Sequence, residues 1–166
     1  MTERKERYII LIDGSNFYFK LKSLQLHGLV DFNFSEFAKS LTKGGELITA
    51  TYYIGAVKSG SSLASKRMFA SQRKLLANLK KCGFQYSLGY LLKSDNKFHE
   101  KGVDVNMAVD ILVATYENLC DRIIIVSSDT DLLPAIRKSR EKGKIVEYVG
   151  FSHQPSVAMI ANCNKS

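Results

Sequence analysis

Tryptophan is absent from the chain, proline occurs at two positions and cysteine at three. With so little proline there is no Pro-rich linker, and no repeat or low-complexity segment interrupts the sequence. Cys82, Cys120 and Cys163 are an odd number without CxxC spacing. That excludes a disulfide framework or a cysteine zinc site and points to reduced, structural thiols. No window of about 18 consecutive apolar residues and no basic-then-apolar opening occur, so neither a membrane span nor a signal peptide is expected. The setting expected is soluble and cytoplasmic. A Walker loop and a GxGxxG turn are missing as well, which disfavours kinases and dinucleotide enzymes. His27, His99 and His153 are scattered, and none shares a strand-end context with a serine, so a Ser-His-Asp centre is not supported. Only His99 falls near the candidate site described below, and it reads as a surface residue.

What the chain does have is a 45% hydrophobic content over 166 residues, enough for a single domain with a real core. Its formal net charge is +8 and its pI about 9.4, a balance that favours a polyanionic partner, nucleic acid first. Buried-strand patterns run from Tyr8 to Ile12, Leu47 to Ile54, Phe84 to Leu92, Ile123 to Val126 and Lys144 to Val149. Helical patterns alternate with them: from Phe17 to Leu24, Ser35 to Leu41, Ser61 or Ser62 to Gly83, Val103 to Leu119, Leu132 to Lys142 and Ser156 to Ala161. The helix before Gly83 presents Lys66, Arg67, Arg73, Lys74, Lys80 and Lys81 outward, and Lys93 to Gly102 reads as a polar, basic loop with one aromatic, Phe98. The helix from Val103 is apolar almost all round, which predicts burial between other elements. Alternating strands and helices imply a single three-layer α/β domain over residues 1–166, core about 7–150. Its central sheet is mostly parallel, with helices on both faces, in the Rossmann-like manner. The last helix ends so near Ser166 that a further strand or tail is expected after it.

The most informative stretch is Arg122-Ile-Ile-Ile-Val-Ser-Ser-Asp-Thr-Asp-Leu132. A β-branched run ends in two hydroxyls and two carboxylates just before a helix, where open α/β sheets bind ligands. Ser128 or Asp129 could instead cap the helix, with Asp131 in its first turn. Asp13 follows the first strand in the same way, and Asp104 opens another helix. If the first and fourth strands are neighbours, Asp13, Asp104, Asp129 and Asp131 converge at one sheet edge. Four carboxylates so close repel unless a cation neutralises them, and their hard oxygens select Mg²⁺ or Mn²⁺ over zinc.

Ile12-Asp13-Gly14-Ser15-Asn16, Lys101-Gly102-Val103-Asp104 and Ser127-Ser128-Asp129-Thr130-Asp131-Leu132, in this order, resemble the motifs of the NYN domain family. The likeness runs from about Tyr8 to Gly150 and points to the LabA-like branch of the PIN-like nuclease superfamily. It implies a PIN-like fold and a metal-dependent ribonuclease. Carried over by position, Asp13, Asp104 and Asp129 would hold the metal, and Asp131 would act as a ligand or orient the water. Asn16 would bind a carboxylate or phosphate, and Lys101 would neutralise the scissile phosphate or pair with Asp104. Asp110 and Ser128 would support the ligands from behind. Where the family often has a small residue between its two acids, this chain has Thr130.

Lys97, Lys101, Arg67, Arg73 and Lys74 are the expected contacts to an RNA backbone, and Phe98 could stack on a base. Relatives also suggest a homodimer. Two other readings stand beside the nuclease. One is an RNA-binding or scaffold protein that keeps the fold with a weak or inactive site. The other is a von Willebrand A type adhesion site, which Asp13-Gly-Ser15 resembles but which wants serine where Phe17 stands.

Overall fold

Residues along the first strand, β1 (Arg7–Asp13), point alternately to two faces, and both are buried. Ile9 and Leu11 join one core cluster, while Tyr8, Ile10 and Ile12 join a second on the opposite side. A strand hidden on both faces sits at the centre of a sheet, between two layers of helices. The computed structural model describes residues 4–94 and 97–166.

From β1 the chain runs through α1 (Gly14–Ser23), a 3₁₀ turn (Leu29–Asp31), α2 (Phe34–Thr42), β2 (Glu46–Gly55), α3 (Leu63–Lys81) and β3 (Gln85–Ser94). It continues with β4 (Lys97–Lys101), α4 (Val103–Tyr116), β5 (Arg122–Val126), a 3₁₀ turn (Thr130–Leu132), α5 (Leu133–Glu141), β6 (Ile145–Tyr148) and α6 (Val157–Asn162). The sheet order is β4-β3-β2-β1-β5-β6, and every pairing except β3 with β4 is parallel. Side chains of α1, α2 and α3, including Phe17, Phe34, Leu75 and Leu79, fill one core. Met107 and Ile111 of α4, Ile136 of α5 and Met159 of α6 fill the other. The fold is therefore the three-layer α/β arrangement expected from strand and helix alternation. The chain reverses its direction of travel across the sheet between β1 and β5, and ligands of such sheets bind beyond the strand ends at that point.

Two features depart from the sequence reading, and a third was not specified by it. The segment expected as a basic loop contains a strand, because β3 runs on past its partner β2 and β4 pairs back along it, antiparallel from Tyr90↔Lys101 to Ser94↔Lys97. A short charged strand needs no apolar alternation, so no periodic signal announces it. Next, α4 is not enclosed: Val105, Val109, Val113 and Tyr116 form an exposed row along it, Val105 being 66% exposed. One helix face suffices to cover the sheet, and no neighbouring element among the described residues covers the other. Last, the residues after α6 turn back along β6, where Tyr148 N–H donates to Lys165 O and Asn164 N–H to Val146 O, forming a parallel bridge at the sheet edge.

Candidate metal centre

Asp13 ends β1 and is 5% exposed. Its Oδ1 accepts the Asn16 N–H at 3.0 Å, which caps α1, and its Oδ2 accepts the Ser127 hydroxyl at 2.8 Å. The second bond follows from register: Ile12 pairs with Val126, so Ser127 lies opposite Asp13 where β1 and β5 end. Ser127 Oγ also accepts the Asp129 N–H at 3.1 Å. One buried hydroxyl thus ties two of the acidic residues together. Asp129 caps the following 3₁₀ turn, its Oδ1 accepting the Asp131 N–H at 2.8 Å. Asp104 arrives from the other direction, in the first turn of α4. Gly102 starts that helix in the left-handed region at φ 84°, which glycine adopts without strain.

Carboxylate oxygens of Asp13, Asp104 and Asp129 all lie within 4.8 Å of one another. Like charges at this separation repel, and a divalent cation relieves the repulsion. The donors are all hard oxygens, with no cysteine or histidine among them, which suits a Mg²⁺-class ion better than a thiolate-seeking one. A carboxylate offers about four lone-pair sites, so the capping bonds leave capacity for an ion. Capping and metal binding are compatible roles here, and the choice between them posed by the sequence falls away.

Other residues singled out in the sequence lie at varying removes from this cluster. Asn16 accepts the Ser128 N–H through its side-chain oxygen at 3.3 Å, joining the start of α1 to the loop after β5. Ser128 Oγ is 3.0 Å from the Tyr148 hydroxyl, which also accepts the Ser156 N–H. Asp131 is exposed and outside the group of three. Asp110 accepts the Tyr53 hydroxyl at 2.6 Å, and burial together with that bond raises the Tyr53 phenol far above its ordinary range. Lys101 is exposed at the end of β4, and the side chains of Lys97 and Phe98 lie outside the described residues.

Arg67, Arg73 and Lys74 are exposed on α3, the Arg73 guanidinium 5.8 Å from the Phe69 ring centre. This helix starts beyond the carboxylate end of β2 and runs to the opposite edge of the sheet, about 28 Å for its 19 residues. Only its first half, with Arg67, borders the acidic edge, and Lys80 and Lys81 are at the far end. Sequence reasoning overlooked Ser127, Tyr53 and Tyr148. Ser127 was visible as a hydroxyl at a strand end, whereas nothing in the pattern around Tyr53 or Tyr148 marks its hydroxyl contact.

The family model of the NYN domain matches residues 7–166. An uncharacterized protein of Methanocaldococcus jannaschii is 27% identical over 155 residues, covering 93% of this chain and 52% of that protein. The chain therefore spans about half the length of that curated relative. Among solved structures, a protein of unknown function from Vibrio parahaemolyticus superimposes with a TM-score of 0.73 at 23% identity, over 99% of this chain and 93% of that one, a likeness of fold. A T5 5′-exonuclease with bound zinc aligns more distantly, with a TM-score of 0.46 at 15% identity over 93% of this chain and 60% of that one.

Proposed function

Because the chain belongs to the NYN domain family across residues 7–166, we propose that it is a Mg²⁺- or Mn²⁺-dependent nuclease hydrolysing RNA phosphodiester bonds. The observation that carries this reading is the convergence of Asp13, Asp104 and Asp129 beyond the ends of β1 and β5. Within the family we assign it to the LabA-like branch, on its DGSN, KGVD and SSDTD motifs.

Asp13, Asp104 and Asp129 would hold the ion, which when bound supplies Lewis-acid stabilisation of phosphate charge and a more acidic water. The remaining work belongs to the chain's own groups. Ser127 and the Asn16 and Asp131 N–H groups fix the Asp13 and Asp129 carboxylates before substrate arrives, so little reorganisation of these two is left for the reaction. Asp131, exposed two residues beyond Asp129, would accept a proton from the attacking water or orient it. Lys101 and Arg67 bring positive charge to a phosphate backbone crossing this edge. The setting that suits three free thiols is the cytoplasm, and among the described residues no helix is long and apolar enough to cross a membrane.

The test is cleavage of end-labelled RNA with Mn²⁺. Asp13→Asn and Asp129→Asn should each lower the rate by 100-fold or more, on the order of what a lost charge-stabilising group costs. Equal rates in wild type and both variants would sink the mechanism. Metal-dependent RNA binding without cleavage would favour the binding-protein reading.

We also propose a second copy of the chain as partner, meeting α4 face to face. Two chains of net charge +8 repel over most of their surface, but α4 contains no basic residue and exposes its valine row. That row repeats at i and i+4, the spacing that interlocks when like helices cross.

A further inference from the structure

A cleft of about 430 Å³ lies between α1 and α3, walled by Ile54, Val57, Met68 and Leu75 and edged by Tyr18 and Arg67. Its size falls in the range of small-molecule sites, and its lining is apolar. No described element closes it: Tyr18 is 46% and Met68 51% exposed. Its rear wall is built in advance, because Gln72 accepts the Val57 N–H at 2.9 Å and donates to Gly55 O at 2.7 Å, pinning the end of β2 to α3.

Position relates this cleft to the carboxylates. Tyr18 follows Asp13 by five residues, and Ile54 follows Tyr53, which pairs with Asp13 on the neighbouring strand. Helical rise and strand spacing put the mouth on the order of 10 Å from Asp13, the reach of about one or two nucleotides. Charge narrows the occupant. Six basic residues and no acidic one lie on α3, and an open apolar cleft beside such a helix fits a ligand that is anionic along its length yet offers planar apolar groups. A single-stranded nucleic acid has that combination, whereas a duplex keeps its base faces stacked inside.

We propose that the cleft between α1 and α3 receives an unstacked base of a single-stranded RNA whose backbone crosses the carboxylate edge, Tyr18 stacking on the base and Arg67 contacting a flanking phosphate. This rests on the nuclease reading of that edge, but binding can be measured apart from cleavage.

The probe is a single-stranded RNA carrying one 2-aminopurine, titrated with the full chain in EDTA. Wild type should quench its fluorescence by stacking. Tyr18→Ala should weaken binding about tenfold and abolish the quench, whereas Tyr18→Phe keeps both. Arg67→Ala should weaken binding and lower the salt slope by about one. A matched duplex should be indifferent to Tyr18→Ala. Unchanged affinity and quench in Tyr18→Ala and in Met68→Glu, each shown folded by circular dichroism, would overturn the proposal, as would an equal loss for the duplex. If Mn²⁺ supports cleavage while these signals ignore Tyr18, the cleft proposal alone fails. If quenching depends on Tyr18 but no cleavage occurs with Mn²⁺, the nuclease reading alone fails.

Discussion

Asp129 does two things with one side chain: it caps a turn through Asp131 and faces Asp13 and Asp104. Three carboxylates held this close store repulsion, so a cation that binds only the folded chain should stabilise it. At about 100 times its Kd the gain is about 2.7 kcal/mol, read as a rise in Tm on adding Mn²⁺. Asp129→Asn should lose that rise while melting no lower than the wild type without metal, since it removes a repelling charge. A second residue, Asp121, has no part in the site. Side-chain and backbone hydrogen bonds from Arg7 hold its carboxyl down to about 2. The folded form thus binds protons less readily than the unfolded one, so the stability Asp121 contributes is present above about pH 4 and is lost as pH falls toward 2. With the Asp121 side chain about a third exposed, solvent screens the pair and it is worth about 1 kcal/mol. Asp121→Asn should lower stability by that amount at pH 7 in urea melts, and the difference should vanish in acid. Ser127 shows where reading single residues ran out: the serine was visible, but its bond to Asp13 depends on the β1–β5 register, which no local pattern states.

Elements decide what neighbours a residue meets, and Gly14 is the sharpest instance. Opening α1 directly after Asp13, it packs so closely on β2 that a Cβ there would lie 2.6 Å from Tyr53 O and collide with the Tyr52 ring. Gly14→Ala should cost about 3 kcal/mol of unfolding free energy, measured by denaturant titration, though alanine suits a helix better than glycine. The turn residues and strand patterns around it were legible because buried parallel strands leave continuous apolar runs. By contrast, β4 was not legible, since its pairing partner rather than its own composition makes it a strand. Composition also misled for α4. Apolar residues all round suggested burial, yet the sheet needs only the face carrying Met107 and Ile111, and the valines opposite are left exposed. If they meet a second copy, Val109→Glu should shift a dimer to monomer in sedimentation equilibrium while leaving Tm nearly unchanged. A wild type that is monomeric at all concentrations would remove the proposal.

Across the whole molecule, the fold class was the most legible feature, because strand–helix alternation admits few topologies once crossovers are right-handed. The position of β1 beside β5 was the step no local pattern states, and it brings together Asp13 and Asp129, which lie far apart in the sequence. Surface charge was legible as a total but not as a map: α3 carries its basic residues from the acidic edge to the far edge of the sheet. The tail along β6 has a practical corollary. Because Lys165 pairs in parallel with Glu147, the chain leaves Ser166 heading toward the carboxylate end of the sheet, whereas β1 begins at the opposite end. A tag or fused domain joined after Ser166 would be delivered on the side of the sheet where Asp13, Asp104 and Asp129 converge, while one joined ahead of Arg7 would hang on the far side. Immobilisation through the amino terminus therefore leaves the carboxylate cluster facing away from the support.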